Sequence, residues 1–425
     1  MSSTNIRRLA TASAVGTTLE WYDFTIYNIM AALVFNAVFF PQYEPLTGTL
    51  LAFSTYAVGY FSRPAGGLLF GHLGDRLGRR FVLYATLILM GVATGLIGFL
   101  PSYRSWGLWS PALLVLLRFV QGAAIGGEWA GAVLLSLEHG TAEHRGRNGS
   151  FAQLGPACGT ILGTVTVAGI VTSLAPASFE NWGWRIAFAL SLLLVVFGLW
   201  LRHGVEETPV FTALRSLHGT VRAPISEVMR RQLRGLLTAI GARAGPDVFY
   251  ALLVVFTLTY VTTILHLPRM QALVATTIGA ACSAACMPLF GSLSDRVGRR
   301  PLIATGALLS VAWAFAYFRL VDTRQPLLID LAVAVGMVLH ASMYGPQAAF
   351  IAEQFPTRVR YAGSSMAYTL TGIVAGGLAP LLFTALLRSY GSTLAPSLYL
   401  TAALVVTLVA MAVAHETARV PLRDH

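Results

Sequence analysis

Twelve long apolar segments, separated by shorter polar stretches, set the hydrophobic pattern of this chain. Each is close to the length of about 20 residues that a helix needs to cross a bilayer. The pattern therefore predicts an all-α integral membrane protein with twelve transmembrane helices. The segments are 12–39, 48–72, 81–100, 108–137, 147–173, 184–203, 233–262, 270–293, 301–320, 328–354, 360–387 and 393–415.

Composition agrees with this pattern. The chain of 425 residues is 56% hydrophobic and 11% charged, whereas a soluble domain has about 25% charged residues. Its net charge is +11, and every basic residue is arginine. Because the arginines lie between the apolar segments, they indicate membrane topology rather than a nucleic-acid partner. We expect the lipid bilayer to surround most of the chain.

The arginines also predict an orientation. If the N-terminus faces inward, twenty arginines fall in inward segments and five in outward ones. Such a positive-inside bias predicts that both termini are cytoplasmic, which requires an even number of spans. The run from Leu9 resembles the start of a signal peptide, but it continues to Phe40 without a cleavage site. We therefore interpret it as the first spanning helix.

A polar, arginine-rich stretch at 204–232 divides the spans six and six. We predict two pseudo-symmetric six-helix bundles, 1–203 and 233–425, joined by this cytoplasmic linker. A repeat supports the division: Gly71-His-Leu-Gly-Asp-Arg-Leu-Gly-Arg-Arg80 returns as Gly291-Ser-Leu-Ser-Asp-Arg-Val-Gly-Arg-Arg300, with seven of ten positions identical. Two parallel halves with a binding site between them are an architecture of transporters.

Other classes of protein find little support. The three cysteines lie in apolar runs without a C-x-x-C pair or a histidine cluster, so we expect neither a disulfide framework nor a metal. The sequence has no G-x-S-x-G, H-E-x-x-H or P-loop motif, so we expect no enzyme activity and no cofactor. Without a P-loop, energy for transport would come from an ion or substrate gradient.

The two G-x-L-x-D-R-x-G-R-R loops resemble the signature loop of the major facilitator superfamily. Arg118-Phe-Val-Gln-Gly122 resembles the fourth-helix motif, which that family links to proton coupling. More specific stretches resemble the metabolite:proton symporter family, over essentially the whole chain. They are Gly16–Phe24, Phe61–Gly67, Gly126–Trp129, Trp184–Phe188, Glu206–Phe211 and Tyr344–Arg360.

This resemblance implies proton-coupled uptake of a small metabolite by alternating access, in a bacterial inner membrane and by a monomer. Members of the family carry shikimate, 2-oxoglutarate, citrate, aromatic acids, or the osmolytes proline and betaine. Ala242–Asp247 looks closest to the shikimate-type members. We expect an organic-acid substrate. Osmolyte uptake is the alternative, although the chain stops soon after its last apolar segment and lacks the long extension of osmosensing members. A drug or metabolite exporter is a weaker alternative.

Seven charged residues lie at apparent membrane depth, away from the ends of the apolar segments, where each costs about 2.5–3.5 kcal/mol on insertion scales. We expect them to face one another or a wet cavity between the helices. They are Glu20, Asp23, Arg63, Arg118, Glu128, Arg243 and Asp247.

Four of these residues are candidates for proton coupling. Glu20 and Asp23 are three residues apart and share a helix face, so the two carboxylates cannot both ionise easily. We expect Asp23 and Glu128 to carry protons, with Glu20 coupled to Asp23 and Arg118 acting as a gate or coupling residue. The alternative is that Asp23 or Glu128 permanently neutralises Arg63.

Arg63 and Arg243 lie at similar depth in opposite halves, and an arginine can hold a carboxylate with two parallel hydrogen bonds. We therefore predict that they bind the substrate anion. The alternative for Arg243 is an i, i+4 pair with Asp247. Aromatic and polar-tipped neighbours suit the wall of a small-molecule cavity. The candidates are Tyr22, Asn28, Tyr250 and Gln347.

The repeated loops suggest two cytoplasmic gating networks, by resemblance to the superfamily. The first would contain Asp75, Arg76, Arg80, Glu138 and Arg145. The second would contain Asp295, Arg296, Arg300, Glu353 and Arg358. The alternative is that these residues only determine topology.

Overall fold

The computed structural model describes residues 3–67, 69–70, 79–126, 133–134, 137, 142–202 and 224–418. Within these ranges the backbone is almost entirely helical and has no strand. The predicted all-α class is therefore confirmed. In a bilayer this is the expected outcome, because a helix satisfies its own backbone hydrogen bonds where water is absent.

Each of the twelve predicted segments overlaps one long helix. In chain order these are α1 Ser3–Leu33, α2 Pro45–Phe61, α3 Arg79–Gly98, α4 Trp109–Ile125, α5 Arg145–Ser173, α6 Arg185–Arg202, α7 Leu233–Ile264, α8 Arg269–Val297, α9 Arg299–Val321, α10 Pro326–Glu353, α11 Arg360–Tyr390 and α12 Leu394–Val413. Shorter helical pieces connect them at Phe35–Phe39, Tyr103–Trp106, Ala142–His144, Pro176–Gly183, Pro224–Arg231 and Thr357–Val359.

Not all of these helices meet the length and hydropathy of a complete span. Among the described residues, α5 and α7 to α12 do so, which makes seven. An eighth results if Pro176–Gly183 and Arg185–Leu199, which meet at 50°, form one bent span. Tyr84–Gly98 and Trp109–Ile125 are apolar but shorter. The count of twelve spans and the cytoplasmic termini remain predictions.

Glycines on α5 allow α1 to approach closely. A Cβ added at Gly155, Gly159 or Gly163 would lie 2.4–2.7 Å from side-chain atoms of α1. The three glycines are spaced by four residues and therefore form one stripe, the small-residue contact that membrane helices use to pack. At this stripe the backbone of Gly159 lies directly against Trp21 of α1.

A second close contact joins α2 and α4. A Cβ at Gly122 would lie 1.9 Å from the carbonyl oxygen of Gly59, and one at Gly59 would lie 2.7 Å from Nε of Arg118. The backbone of α2 therefore passes directly over the arginine of α4. This crossing fixes Arg118 in the protein interior, where its side chain is fully buried.

Two helices widen near the centre of the molecule. In α7, Pro246 lies inside the helix and wide i→i+5 turns follow at Ala251–Phe256 and Tyr260–Ile264. In α11 a similar turn spans Gly372–Gly377. Such bulges often occur at functional sites, because they redirect side chains and leave room between helices.

Helices α1–α6 meet helices α7–α12 along several pairs. α5 packs on α8 and α10, α2 on α11, and α1 on α7. The predicted linker 204–232 lies mostly outside the described residues, although the helix Pro224–Arg231 at its end packs on the start of α11. The division into 1–203 and 233–425 remains a prediction.

The α2–α4 crossing predicts the effect of one methyl group. Gly122→Ala should destabilise the protein by about 1–3 kcal/mol, because the rigid backbone of Gly59 cannot move away cheaply. Thermal unfolding of the purified protein in detergent measures the change. The matched control is Gly169→Ala in α5, where a Cβ would meet nothing within 4 Å. An unfolding temperature for Gly122→Ala at or above that of the control would contradict the packing described here.

Candidate functional site

A central cavity lies where the widened parts of α7 and α11 face α1, α2 and α5. Its wall is largely aromatic, with one ion pair and one histidine. Aromatic walls with a few polar groups are typical of small-molecule sites. The lining residues are Trp21, Tyr56, Tyr60, Pro156, Arg243, Asp247, Tyr250, Ala251, Val255, His340, Tyr344 and Gly376.

Arg243 and Asp247 form a buried ion pair in this wall. Nε of Arg243 donates to Oδ2 of Asp247 at 2.8 Å, and Nη1 donates to the carbonyl oxygen of Tyr368 at 3.1 Å. The guanidinium also lies 3.4 Å from the centroid of the Tyr368 ring. The i, i+4 pair considered as the alternative for Arg243 is thus present in this conformation, at the edge of the cavity.

Arg63 lies next to the cavity behind Tyr60. Its guanidinium carbon is 4.0 Å from the centroid of the Tyr60 ring and 4.9 Å from that of Phe24. The side chain is buried, and its Nε has no hydrogen-bond partner among the described residues. Arg63 is also close enough to Asp247 to act on it electrostatically. Arg63 and Asp247 therefore lie near one another beside the cavity, and the binding of a substrate anion by Arg63 and Arg243 stays a prediction.

Asp23 belongs to a different cluster, buried between α1, α3, α4 and α6. Its Oδ1 accepts from the hydroxyl of Ser191 at 2.5 Å, and its Oδ2 lies 2.9 Å from the hydroxyl of Thr94. No described arginine is within hydrogen-bond distance of this carboxyl group. The static pair between Asp23 and Arg63 is therefore not what the structure shows.

A series of hydrogen bonds leads from the hydroxyl of Thr94 to Arg118. Nε2 of Gln121 donates to Thr94 Oγ1 at 2.7 Å, and Oε1 of Gln121 accepts a short hydrogen bond from Nη1 of Arg118. We call this series Ser191, Asp23, Thr94, Gln121 and Arg118 the Asp23 chain. It links two residues predicted to take part in proton coupling, although they do not touch.

Aromatic rings enclose the far end of the Asp23 chain. The guanidinium carbon of Arg118 lies 4.1–4.9 Å from the centroids of Phe24, Tyr27 and Tyr56. Within the described part of the protein, Nε and Nη2 of Arg118 have no hydrogen-bond partner. Cation–π contacts replace part of the hydration that this buried cation has lost. Gln121 therefore supplies its one direct hydrogen bond in these ranges.

The other predicted site residues have varied positions. Tyr250 lines the cavity. Tyr22 instead donates to the carbonyl oxygen of Ala187 at 2.9 Å, and Asn28 donates to the hydroxyl of Tyr56 at 3.4 Å. Gln347 donates to the carbonyl oxygen of Ala242 at 3.4 Å, next to Arg243. Glu20 is buried near Tyr368, and Glu128 lies outside the described residues.

Several neutral residues near the site were not predicted, because only charged residues stand out against the apolar segments. Gln121 lies within the quoted motif Arg118–Gly122, three residues after the arginine and so on the same helix face. That spacing could have identified it. Thr94, Ser191 and His340 carry no comparable signal, since single polar residues in apolar helices are common.

A buried charge network joins the two sets of helices at the end predicted to be cytoplasmic. Glu353 at the end of α10 accepts from Arg145 of α5 at 3.2 Å and from Arg299 of α9 at 3.4 Å. Asp295 of α8 pairs with Arg299 at 2.8 Å and accepts from the backbone N–H groups of Gly146 and Arg147. These contacts hold α5 against α8 and α10.

The network combines members of the two predicted gating sets. Arg145 of the first set pairs with Glu353 of the second, and Arg299 occupies the central position that was not predicted. Arg300 instead donates to the carbonyl oxygens of Met411 and Ala412 in α12. Arg296 lies in the last turn of α8.

The other predicted gating residues lie outside the described residues or are described by their backbone alone. Asp75, Arg76 and Glu138 lie outside the described residues. Only the backbone is described for Arg80, in α3, and for Arg358, in Thr357–Val359.

Exposed ion pairs join the two sets of helices at the opposite end. Arg388 of α11 pairs with Glu44, just before α2, at 2.5 Å. Arg269 of α8 pairs with Glu180. The central cavity therefore lies between contacts at both ends of the molecule.

Comparison with known proteins identifies the family. The profile described as Major Facilitator Superfamily matches residues 14–380 and 247–423. The chain belongs to the major facilitator superfamily. The resemblance inferred from the motifs is confirmed, and this chain is a multi-pass membrane transporter.

Named relatives in this superfamily include transporters with different substrates. The shikimate transporter of Escherichia coli K12 is 37% identical, over 92% of this chain and 90% of its own length. The inner membrane metabolite transport protein YhjE of the same strain is 35% identical, over 96% and 94%. The proline/betaine transporter of that strain is 34% identical, over 98% and 85%.

Solved structures share the fold. The proton:xylose symporter XylE, bound to 6-bromo-6-deoxy-D-glucose, superposes with a TM-score of 0.78 at 19% identity, over 98% of this chain and 97% of that one. A partially occluded inward-open form of the xylose transporter XylE from E. coli gives 0.75 at 19% identity, over 99% and 100%.

The charge network predicts an asymmetric response to mutation. Glu353→Gln leaves Arg145 and Arg299 without their shared anion, and breaking a buried pair costs about 3–5 kcal/mol. We expect the population to shift toward molecules open at this end. Spin labels are attached at His144→Cys and Thr357→Cys in a background without the native cysteines. Double electron–electron resonance spectroscopy then measures the distance between them across this end of the molecule.

Asp330→Asn is the matched control, because its partner Gln271 can donate to the new amide oxygen equally well and the pair joins α8 to α10 rather than the two sets of helices. We expect its distance distribution at the His144 and Thr357 labels to match that of the parent protein. An unchanged distribution in Glu353→Gln would show that this network does not hold the end closed.

Proposed function

We propose that this protein is a proton-coupled symporter that takes up a small organic anion across a bacterial inner membrane by alternating access. The observation that carries this proposal is the Asp23 chain. Its carboxyl group is buried and bonded to neutral hydroxyls rather than to a described cation. Such a group can gain and lose a proton without breaking an ion pair.

The hydroxyl of Thr94 can change its hydrogen bonds when Asp23 gains or loses a proton. Its oxygen lies 2.9 Å from both Asp23 Oδ2 and the carbonyl oxygen of Met90, but a hydroxyl has one hydrogen to donate. With Asp23 ionised, Thr94 donates to the carboxylate. With Asp23 protonated, the carboxyl O–H donates to Thr94, and Thr94 donates to Met90.

Gln121 connects this change of hydrogen bonds at Thr94 to Arg118. Its Nε2 donates to Thr94 and its Oε1 accepts from Arg118, so the charge beside Thr94 changes the strength of both hydrogen bonds. Because α2 crosses directly over Arg118 and also carries Tyr56 and Tyr60 of the cavity wall, the Asp23 chain adjoins the cavity. Proton binding and cavity shape can thus be coupled through α2 and α4.

The cavity suits an anion. We propose that Arg243 holds a substrate carboxylate after rearranging its bond to Asp247, and that Arg63 adds positive potential from behind Tyr60. An arginine fork fits the two oxygens of a carboxylate. The aromatic walls would cover the apolar part of the substrate. The shikimate transporter among the relatives supports this class of substrate.

The contacts at the two ends support alternating access. Opening requires separating α5 from α8 and α10 at one end, or α2 from α11 at the other. The buried network around Glu353 and the exposed pair Arg388–Glu44 are the contacts that must break in turn. Substrate and proton would favour one set of contacts over the other only by binding the two states unequally.

One observation favours a second candidate, uptake of a zwitterionic osmolyte such as betaine. Asp247 and Arg243 lie side by side in an aromatic cavity. Aromatic faces attract quaternary ammonium groups, and the arginine would bind the carboxylate of the same molecule. The proline/betaine transporter among the relatives supports this second candidate.

A transport assay tests the proposal. Proteoliposomes with an inward gradient of about one pH unit and no membrane potential receive shikimate, 2-oxoglutarate, citrate, an aromatic acid or betaine. One coupled proton per monoanion should give about tenfold accumulation, because a free energy of about 1.4 kcal/mol is a factor of ten. Asp23→Asn should abolish accumulation and retain exchange of labelled substrate. Asp330→Asn, whose partner Gln271 can donate to the new amide oxygen equally well, is the control.

Two further variants test the Asp23 chain itself. Thr94→Val removes the hydroxyl at similar volume and should reduce accumulation, whereas Thr94→Ser should largely restore it. Full pH-driven accumulation in Asp23→Asn would contradict the proton assignment. Accumulation of betaine alone would replace the anion by the zwitterion as the substrate.

A further inference from the structure

His340 is the one lining residue of the central cavity with two polar atoms that lack partners among the described residues. It lies on α10 and is 1% exposed. Neither Nδ1 nor Nε2 has a hydrogen-bond partner in the ranges that the structure describes. Because a buried polar group without a partner is destabilising, its partner is expected to be a molecule that enters the cavity.

Neighbouring rings hold the imidazole in place. It stacks on Tyr344 with centroids 5.0 Å apart and an angle of 25°, and its centroid lies 5.5 Å from that of Tyr250. Tyr250 is itself fixed, because its hydroxyl is 2.7 Å from the hydroxyl of Thr160 on α5. Rings on two sides limit rotation of His340, so its nitrogens are held ready for a ligand.

A neutral imidazole offers one N–H donor and one nitrogen acceptor. An alcohol hydroxyl can bind either nitrogen, because its oxygen can accept from the imidazole N–H and its hydrogen can be donated to the other nitrogen. A quaternary ammonium group can do neither. A carboxylate can accept but not donate, and Arg243 in the same wall is the stronger partner for it.

We infer that His340 binds a hydroxyl group of the substrate, and that the substrate is therefore a hydroxylated carboxylic acid. This inference rests on the anion site of the proposed function. Arg243 holds the carboxylate, His340 holds a hydroxyl, and Trp21 and Tyr60 cover the carbon skeleton. His340 is then the residue that separates hydroxy acids from betaine-like osmolytes and from acids without a hydroxyl.

The test compares two acids that differ only in hydroxyl groups. Shikimate and cyclohex-1-ene-1-carboxylate share the ring and the carboxylate. Calorimetric titration of the purified protein at constant pH measures the affinity of each, and betaine is the third probe. We expect the wild-type protein to bind shikimate at least about tenfold more tightly than the hydroxyl-free acid.

Variants at His340 separate its nitrogens from its ring. His340→Phe keeps an aromatic ring against Tyr344 and Tyr250, and it should bring the two acids to nearly equal affinity. His340→Gln keeps a donor and an acceptor, and it should retain part of the preference for shikimate. His415→Phe changes an exposed histidine outside the cavity and is the control.

Several results would overturn the inference. These are equal binding of the two acids by the wild-type protein, an unchanged preference in His340→Phe, or binding of betaine alone. The titration needs no gradient, so it is independent of proton coupling. A preference lost in His340→Phe, together with a failure of pH-driven accumulation, would retain this inference and reject the proposed symport.

Discussion

The proposed proton coupling depends on one interaction, the bond between a buried carboxyl group and neutral hydroxyls. Asp23 is 2% exposed, yet Ser191 and Thr94 bond to it instead of a described cation. A permanently ionised carboxylate in such a place would be costly, and a permanent ion pair would fix it. Hydroxyls accept either state, because each can donate to an ion or accept from an acid.

Packing by small residues places this interaction beside the cavity. The glycines of α5 allow the close approach of α1, which carries both Asp23 and Trp21. The crossing of α2 over α4 places Arg118 against the rings of Phe24, Tyr27 and Tyr56. The widened turns of α7 and α11 then leave the central cavity next to it. The two close helix contacts depend on glycines that would be unfavourable in a soluble helix but are tolerated in membrane helices.

Much of the fold and part of the site could be predicted from the sequence. Within the described residues, hydropathy located each long helix, and the cost of burying charge singled out Asp23, Arg63, Arg118 and Arg243. Hydropathy does not specify how side chains pair across helices, however. The pairing of Arg145 with Glu353 joins residues 208 positions apart, and Tyr22 turned out to bond backbone rather than line the cavity. Such contacts depend on helix rotation, which no local pattern encodes.

Infrared difference spectroscopy of the purified protein detects a carboxyl group with and without its proton, so it shows whether Asp23 exchanges one. Spectra are recorded between acid and alkaline buffer, in H2O and in D2O, for the wild-type protein and for Asp23→Asn. We expect a carbonyl band of a protonated carboxyl group that disappears on alkalinisation and is absent in Asp23→Asn. If the spectra of the two proteins are identical, Asp23 does not exchange a proton, and the coupling described here is wrong.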